Sequence, residues 1–301
     1  MSTTTRSTTT VTAALVLSAG VLVIATASIL IRYAQNAQVP SLSIAAIRLG
    51  VSALVLSVIV ALRYTQWPQG VTMRHGWLAV LSGVCLAAHF ASWITSLQYT
   101  SVASSAALVA TTPLWVGIVA RVWFKEALNR YRVIGMVLTI AGSIGIAVSD
   151  QTASVGTNPL LGNVLAIVGA ISGSAYFLLG RGLRSDLPLL HYIWMTYGAA
   201  ALVLLVAAIG FGFTTLPASG MTWLVLIGLA LGPQLLGHTS INYAMRHLSA
   251  LLVTIALLGE PVGSAILAFV LFQEQVAPLQ VMGLVALLLG IGVTAVGERT
   301  Q

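Results

Sequence analysis

A single acidic residue, Glu260, lies at the centre of a long apolar segment and is followed by Pro261. An ionised carboxylate at the bilayer centre costs at least about 2.5–3.5 kcal/mol on insertion scales, so it must face a wet cavity, find a partner or stay protonated. Pro261 has no backbone N–H and leaves the carbonyl of Leu257 without its helical donor. A carboxylate beside a free carbonyl predicts a cation, ammonium or proton-coupling site. The alternative is a structural acid that hydrogen-bonds a neighbouring helix.

Arg48 is the one basic residue well inside an apolar segment. A guanidinium stays charged in proteins, so it needs acceptors or a wet environment. Three roles are open to it. It could hold a substrate carboxylate, pair with Glu260, or bind backbone carbonyls as a brace between helices.

Polar residues recur every four positions in two further apolar segments. Gln234, His238 and Asn242 share one helical face, which should point away from lipid. His89 and Trp93 have the same spacing, and the two histidines could relay protons or gate a cavity. The alternative is interhelical hydrogen bonding, and for His89 we favour a buried core histidine. Aromatic residues that could line an amphipathic pocket nearby are Tyr176, Trp194, Tyr197 and Tyr243.

Membrane-spanning helices must position these residues. Hydrophobic residues make up 58% of the 301-residue chain and charged residues only 6%, too few to cover a soluble surface. Since the basic residues are scattered between apolar runs, the net charge of +7 indicates anionic membrane surfaces rather than nucleic acid. About 20 apolar residues cross a bilayer. The ten predicted spans are 11–31, 42–62, 76–98, 102–123, 132–149, 161–180, 189–212, 220–243, 249–272 and 277–296.

The distribution of basic residues predicts the orientation. Eleven of the 13 Lys and Arg residues fall on the side of the membrane that holds both termini, and only Arg32 falls on the other side. Because cytoplasmic loops are rich in Lys and Arg, both termini should lie in the cytoplasm and the protein in the cytoplasmic membrane. The polar, low-complexity residues 1–10 are expected to form a disordered cytoplasmic tail.

The chain repeats itself at an offset of 148 residues. The matched pairs are Pro113 and Pro261, Glu126 and Glu274, Gly135 and Gly283, and Gly142 and Gly290. Each half holds five spans, an odd number, so the halves should cross the membrane in opposite directions with a substrate site between them. The predicted fold is an all-α integral membrane protein with ten helices in two inverted five-helix repeats. The first covers 11–149, the second 161–297, and an external linker covers 150–160.

The residues of the four matched pairs are interpreted as structural. The glycines should allow close helix packing. Glu126 and Glu274 stand at the start of the last span in each half, where a carboxylate is favoured by the helix dipole. The two prolines should kink spans 4 and 9.

These features resemble the drug/metabolite transporter superfamily, specifically its EamA-type ten-helix exporters. The residues that carry the resemblance are Pro113, Phe124–Glu126, Gly135, Gly142, Glu260–Pro261, Phe272–Glu274, Gly283 and Gly290. The resemblance covers residues 11–297 and implies a central cavity lined by spans 1–4 and 6–9, with spans 5 and 10 peripheral. It implies export of amino acids, other metabolites or drugs. It also favours the bracing role for Arg48.

The predicted function is therefore secondary active export of small metabolites by alternating access, with amino-acid-like or amphipathic and cationic compounds as substrates. Coupling to protons, the direction of transport and the oligomeric state stay open. A passive channel or facilitator is the alternative. An intramembrane enzyme is less favoured, because HExxH, Walker A, GxGxxG and Asp-rich prenyl-diphosphate motifs are missing from the sequence. The expected partners are the substrate and the bilayer, with no cofactor and no metal.

Overall fold

The computed structural model describes residues 2–64, 71–123, 129–152, 156–212, 217, 219–248 and 250–299. Within these ranges every regular element is a helix, and ten helical segments are long and apolar enough to cross a membrane. The all-α, ten-span prediction is confirmed. Glu126 lies outside the described residues.

Four of the ten spans are built from more than one helical segment. Span 1 is Ser2–Ala25 and Ala27–Asn36, span 2 Ser41–Arg63, span 3 Met73–Ser96, span 4 Val102–Val109 and Thr112–Trp123, and span 5 Arg130–Thr152. Span 6 is Pro159–Asp186, span 7 Leu189–Gly210, span 8 Gly220–Leu229, Ala230–His238 and Thr239–His247, span 9 Ala250–Leu257 and Gly259–Phe272, and span 10 Pro278–Arg299.

Two predicted boundaries need correction. The expected disordered tail at 1–10 is helical from Ser2 onward. The tail contains neither proline nor glycine, so a helix nucleated in the apolar residues can propagate through it one hydrogen bond at a time. Span 5 extends to Thr152 and span 6 begins at Pro159, so the connection is shorter than the predicted linker 150–160. Asp150 thereby belongs to span 5.

The main contacts of the spans join one half of the chain to the other. Span 3 packs along span 6, and its repeat counterpart, span 8, packs along span 1. Spans 2 and 7, spans 4 and 9, and spans 5 and 10 each pack against their own counterpart. This is the pattern of two related units joined by a two-fold operation. Because each unit has five spans, the two units cross the membrane in opposite directions.

The repeated glycines form the contact between spans 5 and 10. A Cβ atom added at Gly142 would lie 2.6 Å from the carbonyl oxygen of Gly283, and one added at Gly290 would lie 2.6 Å from that of Gly135. The 148-residue repeat relates the two contacts, because Gly142 corresponds to Gly290 and Gly135 to Gly283. The backbones therefore touch at two symmetric points, where any larger side chain would push the helices apart.

We expect Gly142→Ala to lower the free energy of unfolding by about 1–3 kcal/mol, because the new methyl group overpacks a backbone contact. The matched control is Gly117→Ala in span 4, where a Cβ meets no described atom within 4 Å. That control should be neutral or stabilising by up to about 1 kcal/mol, since alanine is the better helix former. Thermal unfolding of the detergent-solubilised protein, followed by tryptophan fluorescence, measures both. Equal shifts would contradict the packing role.

Candidate functional site

The guanidinium group of Arg48 is completely buried where spans 2, 3 and 8 meet. Arg48 is seven residues from the start of span 2, which places it about 10 Å from that end of the helix. Its Nε donates a 2.7 Å hydrogen bond to Oε1 of Gln234. The ring of Phe90 lies 4.1 Å from its Cζ and covers one face of the guanidinium. The second aromatic ring, that of Trp93, is 5.9 Å away.

Several polar atoms around Arg48 lack a hydrogen-bond partner among the described residues. Both Nη atoms of Arg48, Nε2 of Gln234 and Nε1 of Trp93 are buried donors without an acceptor. The hydroxyl groups of Tyr197 and Thr239 are also buried and make no hydrogen bond of good geometry. The side chains of Thr239 and Gln234 both face the Tyr197 hydroxyl, so these three groups form a loosely connected set. The Arg48 cluster, as we name it, consists of Arg48, Phe90, Trp93, Tyr197, Gln234 and Thr239.

Such a concentration of unsatisfied donors is unusual in a folded protein. A buried donor without an acceptor costs about 1–3 kcal/mol, and more when it is charged. Folded proteins tolerate this cost mainly at functional sites, where a ligand or an ordered water supplies the missing partner. The Arg48 cluster is therefore the candidate functional site.

An irregular stretch of span 8 delivers Gln234 to Arg48. Ala230–His238 is a π-helix, with Pro233 inside it. Proline has no N–H to donate, and local widening to the i→i+5 pattern accommodates this loss. Ser52 of span 2 donates to the carbonyl of Ala230 at 3.0 Å, which ties the irregular segment to the turn that carries Arg48. This π-helix was not predicted from the sequence, although Gly232–Pro233 inside an apolar segment indicates it.

Spans 4 and 9 are interrupted at equivalent positions. The first break falls at Ala110–Thr111 and the second at Leu258, each of them just before the repeated proline. The second break makes Glu260 part of the first turn of a new helix, Gly259–Phe272. A helix N-terminus favours negative charge, so it stabilises a carboxylate at this depth.

Glu260 is half-buried and is the acid that acts electrostatically on Arg48. No hydrogen bond joins the two side chains: Nε of Arg48 is bonded to Gln234, and neither Nη atom has a partner among the described residues. The pairing of Arg48 with Glu260, one of the three roles left open by the sequence, is therefore absent from this conformation. The brace that the family resemblance favours is also not formed through backbone carbonyls, since the Nε bond goes to a side chain.

Among the remaining predicted site residues, some lie next to the Arg48 cluster and others form contacts outside it. His238 borders the cluster, because its ring lies 5.5 Å edge-on to that of Phe90. His89 Nδ1 donates to the carbonyl of Gly169 at 2.8 Å and its ring stacks 6.0 Å from Trp93. Asn242 donates instead to the hydroxyl of Tyr176 at 3.2 Å, so it joins spans 8 and 6.

A second buried polar cluster surrounds Asp150 at the end of the molecule opposite to the termini. Asp150 accepts hydrogen bonds from the hydroxyls of Thr100 at 3.1 Å and Ser104 at 2.9 Å. It also accepts from the side-chain amides of Asn163 at 2.9 Å and Gln280 at 3.1 Å. One carboxylate thus connects spans 4, 5, 6 and 10. This cluster was not predicted from the sequence, because Asp150 falls in the expected polar linker 150–160.

Glu274 has a structural position, but it caps a different helix from the one predicted. Its carboxylate accepts the backbone N–H of Val102, the first residue of span 4, at 2.9 Å. It also pairs with Arg32 at 3.3 Å. Gln273, which ends the helix Gly259–Phe272, adopts a left-handed conformation with φ 55°.

A cavity of about 290 Å³ opens near the same end of the molecule. Its lining residues are Arg32, Gln35, Asn36, Gln38, Val39, Pro40, Leu97 and Gln98. Leu97 is four residues, or one helical turn, beyond Trp93 of the Arg48 cluster. The cavity lining at Leu97 therefore lies about one helical turn from the Arg48 cluster along span 3.

A ten-span protein with two related, oppositely directed halves and a buried polar site between them has the architecture of a membrane transport protein. The chain belongs to the EamA-like transporter family, whose model matches residues 11–148 and 160–296. The two matches coincide with the two five-span halves. They confirm the resemblance seen in the sequence.

Individual relatives agree with this family. The chain is 28% identical over 261 residues to the "Probable terminal-alkyne amino-acid exporter" of Streptantibioticus cattleyicolor, covering 83% of this chain and 85% of the relative. It is 25% identical over 257 residues to the "Uncharacterized transporter YyaM" of Bacillus subtilis, covering 83% and 82%. A solved crystal structure superposes with a TM-score of 0.66 at 19% identity, covering 96% of this chain and 99% of that chain, so the fold is shared.

Proposed function

We propose that this protein is a secondary active transporter that exports small metabolites across the cytoplasmic membrane by alternating access. The substrates are amino-acid-like or amphipathic and cationic compounds. The observation that carries the proposal is the Arg48 cluster, a set of unsatisfied polar atoms buried between the two halves. A relative that is named as an amino-acid exporter supports the first substrate class.

The interrupted helices provide segments that can change their relative orientation during alternating access. Spans 4 and 9 are broken at equivalent places, and the π-helical segment of span 8 carries Gln234 of the buried site. Helix breaks allow one part of a bundle to rock against the rest without unpacking either part. The cavity lined by Leu97 then serves as the entrance or exit on the side opposite to the termini.

Proton coupling is assigned to Glu260. Its carboxyl group lies at the start of the helix Gly259–Phe272, half-buried and within electrostatic reach of Arg48. A carboxyl group in this position can exchange a proton when the site opens to water, and the proton changes the charge that Arg48 experiences.

The orientation follows the basic residues, with both termini in the cytoplasm. Gln38 lies in the connection between spans 1 and 2, which we place outside the cell. A single cysteine at this position, in a Cys85→Ser background, should react with impermeant reagents added to intact cells. If the cysteine reacts only with reagents on the cytoplasmic side, the orientation is the reverse of the one proposed.

Counterflow in proteoliposomes tests the function. Vesicles are loaded with excess unlabelled amino acids, polyamines or cationic drugs, and uptake of the same labelled compound is followed. A transporter gives transient uptake against the label gradient that saturates with concentration, whereas protein-free vesicles do not. A passive channel gives conductance without counterflow, and this result would replace the proposal by the channel alternative.

A further inference from the structure

We infer that the Arg48 cluster receives a carboxylate group of the transported molecule. This inference rests on the proposed function and narrows its substrate class from metabolites in general to carboxylate-bearing ones. Both Nη atoms of Arg48 and Nε1 of Trp93 are buried donors without an acceptor among the described residues, and together they can serve one carboxylate. Folding alone does not require polar side chains at these positions, since hydrophobic side chains could fill the same space. The unpaired donors are therefore explained better by a ligand than by packing.

The unpartnered atoms are mainly donors. Arg48 Nη1 and Nη2, Gln234 Nε2 and Trp93 Nε1 can only donate, and all four are buried. The hydroxyls of Tyr197 and Thr239 can donate or accept. A ligand that satisfies this set must be rich in acceptors and carry a negative charge, because the guanidinium cannot lose its own charge.

The way Arg48 is held favours a planar, two-oxygen acceptor. Phe90 covers a face of the guanidinium at 4.1 Å, and Nε is already bonded to Gln234 at 2.7 Å. The edge formed by the two Nη atoms is left free. Two parallel N–H groups on one edge match the two oxygens of a carboxylate in a bidentate hydrogen bond.

The charges around the cluster favour this group over a cation. A cationic group placed against Arg48 would be repelled at short range in a medium of low dielectric constant. The carboxylate of Glu260 acts on Arg48 without hydrogen-bonding it, so it leaves the Nη edge available. An amino group on the same substrate would be attracted to Glu260, which lies outside the cluster.

The first experiment uses the wild-type protein and matched compounds. Alanine, leucine and phenylalanine are each compared with their amide and with the amine that lacks the carboxylate. We expect at least one of the three acids to drive counterflow and to raise the melting temperature of the purified protein. Its amide and its amine should do so at least about tenfold less effectively, as expected for the loss of a charged, bidentate hydrogen bond.

The second experiment removes donors without changing shape. Trp93→Phe and Tyr197→Phe each delete one hydrogen-bonding group and keep the ring, and Arg48→Lys keeps the charge but loses the planar edge. We expect Arg48→Lys to weaken the acid at least about tenfold and Trp93→Phe to weaken it about three- to tenfold, with no effect on any amine. The matched control is Trp194→Phe, whose indole N–H already donates to Ser57 at 2.8 Å.

The outcomes separate this inference from the proposed function. If amines or cationic drugs show counterflow and none of the three acids binds or is exchanged, the carboxylate inference is wrong while the transporter function stands. The inference also fails if acid and amide are exchanged equally well, or if Trp93→Phe acts like Trp194→Phe. If no compound of any class shows counterflow, both proposals fail.

Discussion

Glu260→Gln is expected to reduce proton-driven accumulation of substrate in proteoliposomes to the level of protein-free vesicles. Glutamine keeps the shape and the hydrogen-bonding capacity of the side chain but can neither hold a charge nor exchange a proton. Counterflow without a pH gradient should persist, because it needs only the conformational exchange. The measurement is uptake with and without an imposed pH gradient, combined with the melting temperature, which should change little.

The matched control for this substitution is Glu274→Gln. Glu274 pairs with Arg32 near the membrane edge, where both side chains are 21% exposed. A partly exposed pair of this kind contributes at most about 1 kcal/mol to stability, and it has no place in proton coupling. If Glu260→Gln accumulates substrate with an unchanged pH dependence, Glu260 is a structural acid. The coupling group should then be sought at Arg48 and in the polar stripe of span 8.

Asp150→Ala is expected to lower the free energy of unfolding by about 3 kcal/mol or more. The substitution leaves the amides of Asn163 and Gln280 and the hydroxyls of Thr100 and Ser104 without their shared acceptor. Each buried donor that loses its partner costs about 1–3 kcal/mol, and hydroxyls can recover part of this by turning to backbone carbonyls. Thermal unfolding of the purified protein in detergent measures the loss.

The same substitution at an exposed acid provides the control. Asp186 is exposed and lies 3.3 Å from His75, so Asp186→Ala should change stability by no more than about 1 kcal/mol. A similar loss in both variants would show that the Asp150 cluster does not hold spans 4, 5, 6 and 10 together. Asp150→Asn should fall between the two, since an amide retains one acceptor oxygen.

Ten spans and two related halves followed from the sequence because both are local properties. Hydrocarbon admits few charges, so apolar length alone marks each span, and the odd number of spans per half determines their opposite directions. The repeated glycines were predicted to be packing residues, and they do meet across spans 5 and 10. A polar residue on an apolar helix must also avoid lipid, so the sequence could name Arg48, Gln234 and Glu260 as candidates for a site.

The tertiary structure alone decided which of these candidates meet. Arg48 reaches Gln234 across 186 residues of sequence, while Glu260 stays unbonded to Arg48 and Asn242 turns to Tyr176. Such pairings depend on how each helix is rotated about its own axis. An interruption such as that at Pro233 changes this rotation, and the hydropathy of the sequence does not reveal it. Asp150 was missed for a related reason: a carboxylate near a span end looks like part of a loop until three neighbouring helices and the residue Thr100 supply its donors.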